Sequence, residues 1–343
     1  MNNKFFINLY NKIKKIYKKD SSKISKKSIV IAEYILDHNI LNNNFTSSNI
    51  RDDIIKNIKY SYKIVYNNNI LYYYSKTKTL DKYIIYIFQI INTLRILFNR
   101  NKSDNIQIVR YFKTNNRKLF PDTDKILSPN EINSGLTILS NNHDHNGEII
   151  LFRKEEILKV LIHELIHSNL IDNKLIFSQN VKNFSDKFCV NYNILLNEAY
   201  TEAIANILNI FFINIISKKS KKNLDVMFQN ELKYSIYIYS KIMKYYNIDD
   251  INTVIKNDDK CKAIFQQKTN VFSYYFLKFI LLLHLDELGS LLEKQKYLLK
   301  IDNEVSINKL IDLIIENLED INKYFIKNIN DKNNSLKLTF YQL

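Results

Sequence analysis

The chain has 343 residues, enough for one large or two closely packed domains, and its 46% hydrophobic and 25% charged residues are typical of a folded soluble protein. The net charge of +15 comes mostly from Lys spread along the chain, without a dense basic stripe, an RNA-binding signature or zinc-finger spacing, so we expect no specific nucleic-acid partner. Only 3 Gly are present, and the absence of a P-loop and of a dinucleotide fingerprint argues against a phosphate-cradling loop.

Residues 1–58 are predicted to be helical and to form an N-terminal arm or pro-region. Phe5, Phe6, Leu9 and Ile13 fall on one helical face, and most of the nearby Lys residues fall elsewhere. A basic amphipathic helix of this kind can lie on an anionic membrane, but we favour an arm packed on its own protein. Residues 46–49 (TSSN) predict the cap of a helix that starts at Ile50.

The next hundred residues alternate between short β-type runs and one long apolar stretch. In chain order they predict a hairpin (61–66 and 70–75), a helix (80–99), a strand (105–112), a loop with both prolines (113–131) and a second hairpin (136–152). Asn146-Gly147 is a turn signal inside that second hairpin.

Residues 163–167 read HELIH, and this is the most informative motif of the chain. On a helix, His163 and His167 project from the same face one turn apart, so both imidazoles can bind one metal ion, and zinc is the usual metal for such a site. Glu164 can reach a metal-bound water as general base. The flanking apolar residues predict a buried helix, and a buried face with these polar groups needs an explanation such as a metal.

Two alternatives to this interpretation stay open at this point. The motif can be a surface helix that carries two incidental His residues. A rival metal site can use His143-Asp144-His145 in the loop of the second hairpin, because alternate residues of a strand point the same way.

A second acidic pair follows downstream, in Asn197-Glu198-Ala199-Tyr200-Thr201-Glu202. Glu198 and Glu202 are again one helical turn apart. HELIH followed by NEAYTE resembles the gluzincin group of zinc metallopeptidases, which includes the thermolysin-like and M1-aminopeptidase-like enzymes. The resemblance covers residues 132–206.

The resemblance implies a role for each matched residue. His163, His167 and Glu198 would be the ligands of one zinc ion, and Glu164 would be the general base. Glu202 would orient a ligand His, because a ligating imidazole usually donates its other N–H to a carboxylate. The chain has Glu at that position, where thermolysin-like members have Asp.

The family also implies a substrate-binding edge strand and a group that stabilises the oxyanion. Gly135, Leu136 and Thr137 fall where that strand is expected, although an ordinary hairpin under the helix explains them equally well. Tyr274 and Tyr275 are the candidate oxyanion donors, with His284 as a second choice. Asn169 departs from the family pattern, since zinc peptidases tend to be apolar there.

The expected fold is α+β and zincin-like, with a small mixed β-sheet, a backing helix, an active-site helix and a mostly helical C-terminal subdomain. We predict an N-terminal arm (1–58), an upper subdomain with the sheet and the HELIH helix (59–169), and a lower subdomain with the third ligand (170–343). The apolar runs 83–98, 204–216 and 276–285 are interrupted by polar residues, so we expect core helices and no transmembrane segment.

The predicted function is hydrolysis of peptide bonds in a peptide or protein substrate by a zinc-dependent metallopeptidase. The alternatives are a catalytically inactive zincin scaffold and a basic nucleic-acid-associated factor. Two cysteines and no evident signal peptide predict reduced thiols in an intracellular, cytoplasmic protein. The excess of Ile, Asn, Lys and Tyr fits an AT-rich genome, cellular or of a large DNA virus, and in the viral case a virion location is compatible with these features.

Overall fold

The computed structural model describes residues 3–21, 30–33, 41, 43, 46–98, 106–121, 126–139, 145–221, 223–255, 263–329 and 333–343. The chain divides into two compact units. The sheet unit comprises residues 8–117 and 133–170, and the helical unit comprises residues 1–7, 118–132 and 171–343. The fold is therefore α+β, with a mixed sheet in the N-terminal half and a mostly helical C-terminal part, as predicted.

The sheet has six strands in the order β1-β2-β3-β4-β6-β5. The strands are β1 (Val30–Glu33), β2 (Tyr60–Tyr66), β3 (Asn69–Ser75), β4 (Ile106–Phe112), β5 (Gly135–Ile138) and β6 (His145–Leu151). The pairs β1–β2, β2–β3 and β5–β6 are antiparallel, while β3–β4 and β4–β6 are parallel. The strand pairings of both predicted hairpins and the predicted strand over 105–112, from Ile106 onward, are confirmed. The turn predicted at Asn146-Gly147 is wrong, because both residues lie inside β6, where the positive φ of Gly147 (87°) coincides with a shift in the β4–β6 register.

Strand β1 differs from the sequence prediction, which made residues 1–58 helical. Its four residues, VIAE, pair with β2 from Val30 opposite Val65 to Glu33 opposite Tyr62, and all four are exposed. A strand this short has too few residues to establish a period in the sequence, and its pairing with β2 gives it its conformation.

Twelve α-helices are found in the described part of the chain. They are α1 (Lys4–Ser21), α2 (Ser48–Asn57), α3 (Tyr83–Leu97), α4 (Pro129–Ile132), α5 (Ile157–Ser168), α6 (Asn173–Phe177), α7 (Gln179–Ser185), α8 (Leu196–Ile216), α9 (Asn223–Tyr245), α10 (Lys278–Leu283), α11 (Leu285–Glu293) and α12 (Glu304–Glu316). Shorter helical turns are the 3₁₀ turns Ile251–Val254 and Glu319–Tyr324 and a π turn at Ser273–Leu277.

The N-terminal helices follow their sequence signals. Phe6, Leu9 and Ile13 on the apolar face of α1 are buried, as expected for an arm packed on its own protein. The backbone N–H of Ile50 donates to Oγ of Ser47, which caps α2 as predicted.

Helix α8 is the central helix of the helical unit and packs against α6, α9, α10 and the π turn. Among the described residues it is the one helix long and apolar enough to cross a membrane, and 94% of its most apolar window is buried inside the protein. The core helix of a soluble protein passes the same test, so length and composition alone do not assign α8 to a membrane.

Cys189 also belongs to the helical unit. It is fully buried and disulfide-bonded, which differs from the reduced thiol expected from the low cysteine count. The reason is that pairing depends on the proximity of two sulfur atoms in space, which a count does not report.

Candidate metal centre

Helix α5 carries the HELIH motif and is built as a buried helix of the sheet unit. It packs against β5, β6 and α3. Glu156, directly before it, has a left-handed backbone (φ 59°), which turns the chain into the helix. Its end is capped by Asn169, whose Nδ2 donates to the Leu165 carbonyl at 2.7 Å. The departure from the family pattern at Asn169 therefore has a local structural explanation.

The two imidazoles of α5 contact each other, as their spacing predicted. Nε2 of His163 lies 3.0 Å from Nε2 of His167. Two donors about 2.1 Å from one tetrahedral ion lie about 3.4 Å apart, so the observed separation is close to that of two nitrogen ligands of one metal.

Glu164 is tied to the edge of the sheet through Thr137. Oγ1 of Thr137 donates to Oε2 of Glu164 at 2.8 Å and lies 3.0 Å from the backbone carbonyl oxygen of the same residue. Glu164 is only 5% exposed, so this contact is made largely away from solvent. A charge-assisted hydrogen bond of this kind holds the carboxylate in one orientation.

Strand β5 lies at one end of the strand order and pairs with β6. It approaches α5 so closely that a Cβ added to Gly135 would meet Cγ1 of Val160 at 2.9 Å and the Ile150 carbonyl oxygen at 3.0 Å. Glycine at this position thus permits the close packing that brings Thr137 to Glu164. Leu136, between them, is buried.

In the helical unit, Glu198 stands in the first turn of α8. Oη of Tyr274 donates to Oε2 of Glu198 at 3.0 Å. The adjacent Tyr275 is buried, and its Oη donates to the Leu336 carbonyl at 2.5 Å. The structure therefore brings Tyr274 to the predicted ligand and directs Tyr275 to a different part of the same unit.

The remaining candidates of the helical unit are placed as follows. Glu202 lies one turn after Glu198 on α8 and is 1% exposed, and its role in orienting a ligand His stays a prediction. His284 lies between α10 and α11, with Nδ1 3.9 Å from the Glu287 carboxylate, and its role as oxyanion donor also stays a prediction.

Two contacts to this region were not anticipated from the sequence. Nδ2 of Asn197 donates to Oδ2 of Asp172 at 3.2 Å, and the backbone N–H of Leu195 donates to Oγ of Ser273 at 3.2 Å. Asp172 and Ser273 carry no motif. Ser273 is a polar residue between Phe272 and Tyr274, which is a signal that could have marked it, whereas Asp172 precedes Asn173 and Lys174 and has no such signal.

The donor atoms of His163, His167 and Glu198 all lie within 4.8 Å of one another. His163 is buried, and the other two residues are partly buried. This His/His/Glu group could hold a metal ion. Of the rival site, His143, Asp144 and the side chain of His145 lie outside the described residues.

Comparison with known proteins assigns no family. No family model matches the chain, and no solved structure matches it. A similar protein is an uncharacterized protein of Acanthamoeba polyphaga mimivirus, 26% identical over 185 residues, which are 52% of this chain and 45% of that relative. The chain thus matches less than half the length of this giant-virus protein.

Proposed function

We propose that the protein is a zinc-dependent metallopeptidase of gluzincin type. The observation that carries the proposal is the His163/His167/Glu198 group, with donor atoms within 4.8 Å of one another, next in sequence to the carboxylate of Glu164. A purely structural metal site would have no use for that carboxylate. The mixed sheet with α3 and α5 packed together supports a zincin-like fold for the sheet unit.

Two imidazole nitrogens and one carboxylate oxygen fit zinc in a catalytic site, where three protein ligands leave one position open. Bound zinc would polarise the substrate carbonyl and lower the pKa of a coordinated water toward about 7. The same donor set also suits Fe(II), so elemental analysis of the purified protein belongs to the test.

Glu164 is the group that moves protons. Its carboxylate would accept a proton from the attacking water and deliver it to the departing amine, so that one residue serves first as base and then as acid. The hydrogen bond from Thr137 supports this role, because a carboxylate held in one orientation presents the same oxygen to each substrate.

Strand β5 is the element that would bind the peptide. Strand pairing at a sheet edge supplies backbone hydrogen bonds that do not depend on the side chains of the substrate. In the described part of the chain, β5 has β6 as its strand partner on one side only. Ile138, at the end of β5, is 45% exposed and offers an apolar contact to such a peptide. Gly135, Leu136 and Thr137 would form the pairing segment.

The decisive experiment combines metal analysis with peptide hydrolysis in the wild type and in Glu164→Gln. We expect the wild type to contain zinc and to cleave a mixture of fluorogenic peptides. Glu164→Gln should keep its zinc and lose about 10²–10⁴-fold in hydrolysis rate, the usual contribution of a general base.

Glu155→Gln is the matched control. Glu155 lies just before α5, and its Oε1 is 3.7 Å from Nε of Arg117. Glu155→Gln should cleave peptides at the wild-type rate. A wild type that retains zinc but cleaves no peptide would favour the inactive scaffold instead. Salt-dependent binding to DNA or RNA without hydrolysis would favour the nucleic-acid factor.

A further inference from the structure

The start of α8 has an unusual arrangement of caps. Leu195 is the N-cap residue and has no side chain that can accept a hydrogen bond, and Glu198 is the third helical residue after it. A glutamate at this position commonly turns back to accept the hydrogen bond of the N-cap N–H, as in a capping box. A carboxylate used in that way would be drawn toward its own helix.

Ser273 makes that use of Glu198 unnecessary. Its Oγ accepts the hydrogen bond from the Leu195 N–H at 3.2 Å, and this serine is almost fully buried. The N-cap N–H is thereby bonded from outside the helix. The Glu198 carboxylate is accordingly released from its capping position.

Tyr274, the residue after Ser273, holds the Glu198 carboxylate. Oη of Tyr274 donates to Oε2 of Glu198 at 3.0 Å. Ser273 and Tyr274 both belong to the π turn Ser273–Leu277, which packs against α8. A π turn changes the angular spacing of neighbouring side chains, and such turns occur frequently at functional sites. Here it directs two consecutive side chains to the first turn of the same helix.

We propose that Ser273 and Tyr274 are positioning residues that hold Glu198 ready to bind the metal, Ser273 by replacing it as a cap and Tyr274 by fixing its carboxylate. This inference rests on the proposed metal site and assigns these residues no contact with substrate. Hydrogen bonds to ligating groups orient them, and their removal typically lowers metal affinity about 10–100-fold.

The test is a zinc affinity measurement by competition with a chromophoric chelator, together with thermal unfolding of the zinc-free protein. Tyr274→Phe should bind zinc about 10–100-fold more weakly than the wild type, with the zinc-free Tm unchanged. Ser273→Ala should also weaken zinc binding, because the vacated Leu195 N–H then attracts the Glu198 carboxylate back to the cap.

Tyr275→Phe is the matched control in the same turn, because its hydroxyl bonds to the Leu336 carbonyl instead. It should leave zinc affinity at the wild-type value. If the wild type binds zinc and Tyr274→Phe binds it equally tightly, the inference is wrong and the proposed function stands. If the wild type binds no zinc at all, both are wrong.

Discussion

Helices α5 and α8 each carry a pair of ionisable side chains one turn apart inside an apolar helix, and they differ in how their polar side chains are bonded. On α8, Asn206 and Asn209 are cross-links to other segments of the helical unit. Asn206 bonds to Glu231 and the Leu338 carbonyl, and Asn209 bonds to the Tyr341 carbonyl. On α5, Ser168 makes a similar cross-link, from its Oγ to Oε1 of Gln107 on β4 at 3.0 Å. The His pair and Glu164 differ from it, because the two imidazoles contact each other and Glu164 contacts Thr137.

The cross-links of α8 anchor the C-terminal segment. Glu231 on α9 is buried and accepts hydrogen bonds from the Thr339 hydroxyl at 2.9 Å and the Phe340 N–H at 3.0 Å, in addition to that from Asn206. These hydrogen bonds pair Nδ2 of Asn206, the Glu231 carboxylate and the Thr339 hydroxyl within the unit, as is usual for buried polar groups. A buried polar residue in an apolar helix is therefore weak evidence of function. The chemistry of its partner indicates whether the residue has a structural or a functional role.

The largest expected effect is the loss of zinc affinity on substitution of a histidine of α5. His167→Ala removes one of two nitrogen ligands, so zinc affinity should fall by more than the about 100-fold upper end seen when a group beside a ligand is removed. Zinc content after gel filtration and chelator competition measure this. His284→Ala, which removes an imidazole outside the His/His/Glu group, should keep full zinc content. Equal zinc loss in both variants would contradict the assignment.

A smaller effect of a different kind is expected on α8. Asn206→Ala deletes hydrogen bonds to Glu231 and to the Leu338 carbonyl, so the free energy of unfolding should drop by about 1–3 kcal/mol. Urea unfolding of the zinc-free protein measures the drop, and zinc affinity should not change. The exposed Asn183 is the control, and Asn183→Ala should alter stability by less than about 0.5 kcal/mol. A loss of zinc affinity in Asn206→Ala would contradict the distinction between Asn206, which stabilises the fold, and Glu198, which is proposed to bind the metal.

The smallest effect concerns the contact between β5 and α5. Thr137→Val keeps the shape of the side chain but removes the donor to Glu164, so kcat/KM for peptide hydrolysis should fall about tenfold, equivalent to about 1.4 kcal/mol. Zinc affinity should stay at the wild-type value. Thr137→Ser retains the hydroxyl and should restore most of the activity, and a variant pair with identical rates would rule out this role for the hydroxyl.

Much of the sheet unit could be predicted because its elements have clear local signals. The alternation in 61–75 identified the first hairpin, the short apolar runs of 135–152 identified the strands of the second, and the TSSN segment identified the cap of α2. The turn expected at Asn146-Gly147 was wrong, because both residues lie inside β6. The exposed four-residue strand β1 was missed, because its conformation depends on pairing with β2. The π turn was equally invisible, since nothing in SYYFL distinguishes it from an α-helix.

The sequence by itself determined the His163–His167 pair, because a spacing of four on a helix places two side chains on one face whatever surrounds them. The sequence also identified Glu198 as a candidate metal ligand, because of the NEAYTE motif, but it gave no distance between Glu198 and the two imidazoles. Only the tertiary structure decided that the Glu198 donor lies within 4.8 Å of the imidazoles, and that Tyr274 rather than Tyr275 contacts it. The physical reason is that contacts between helices depend on how whole elements pack, and no local period in the chain encodes that packing.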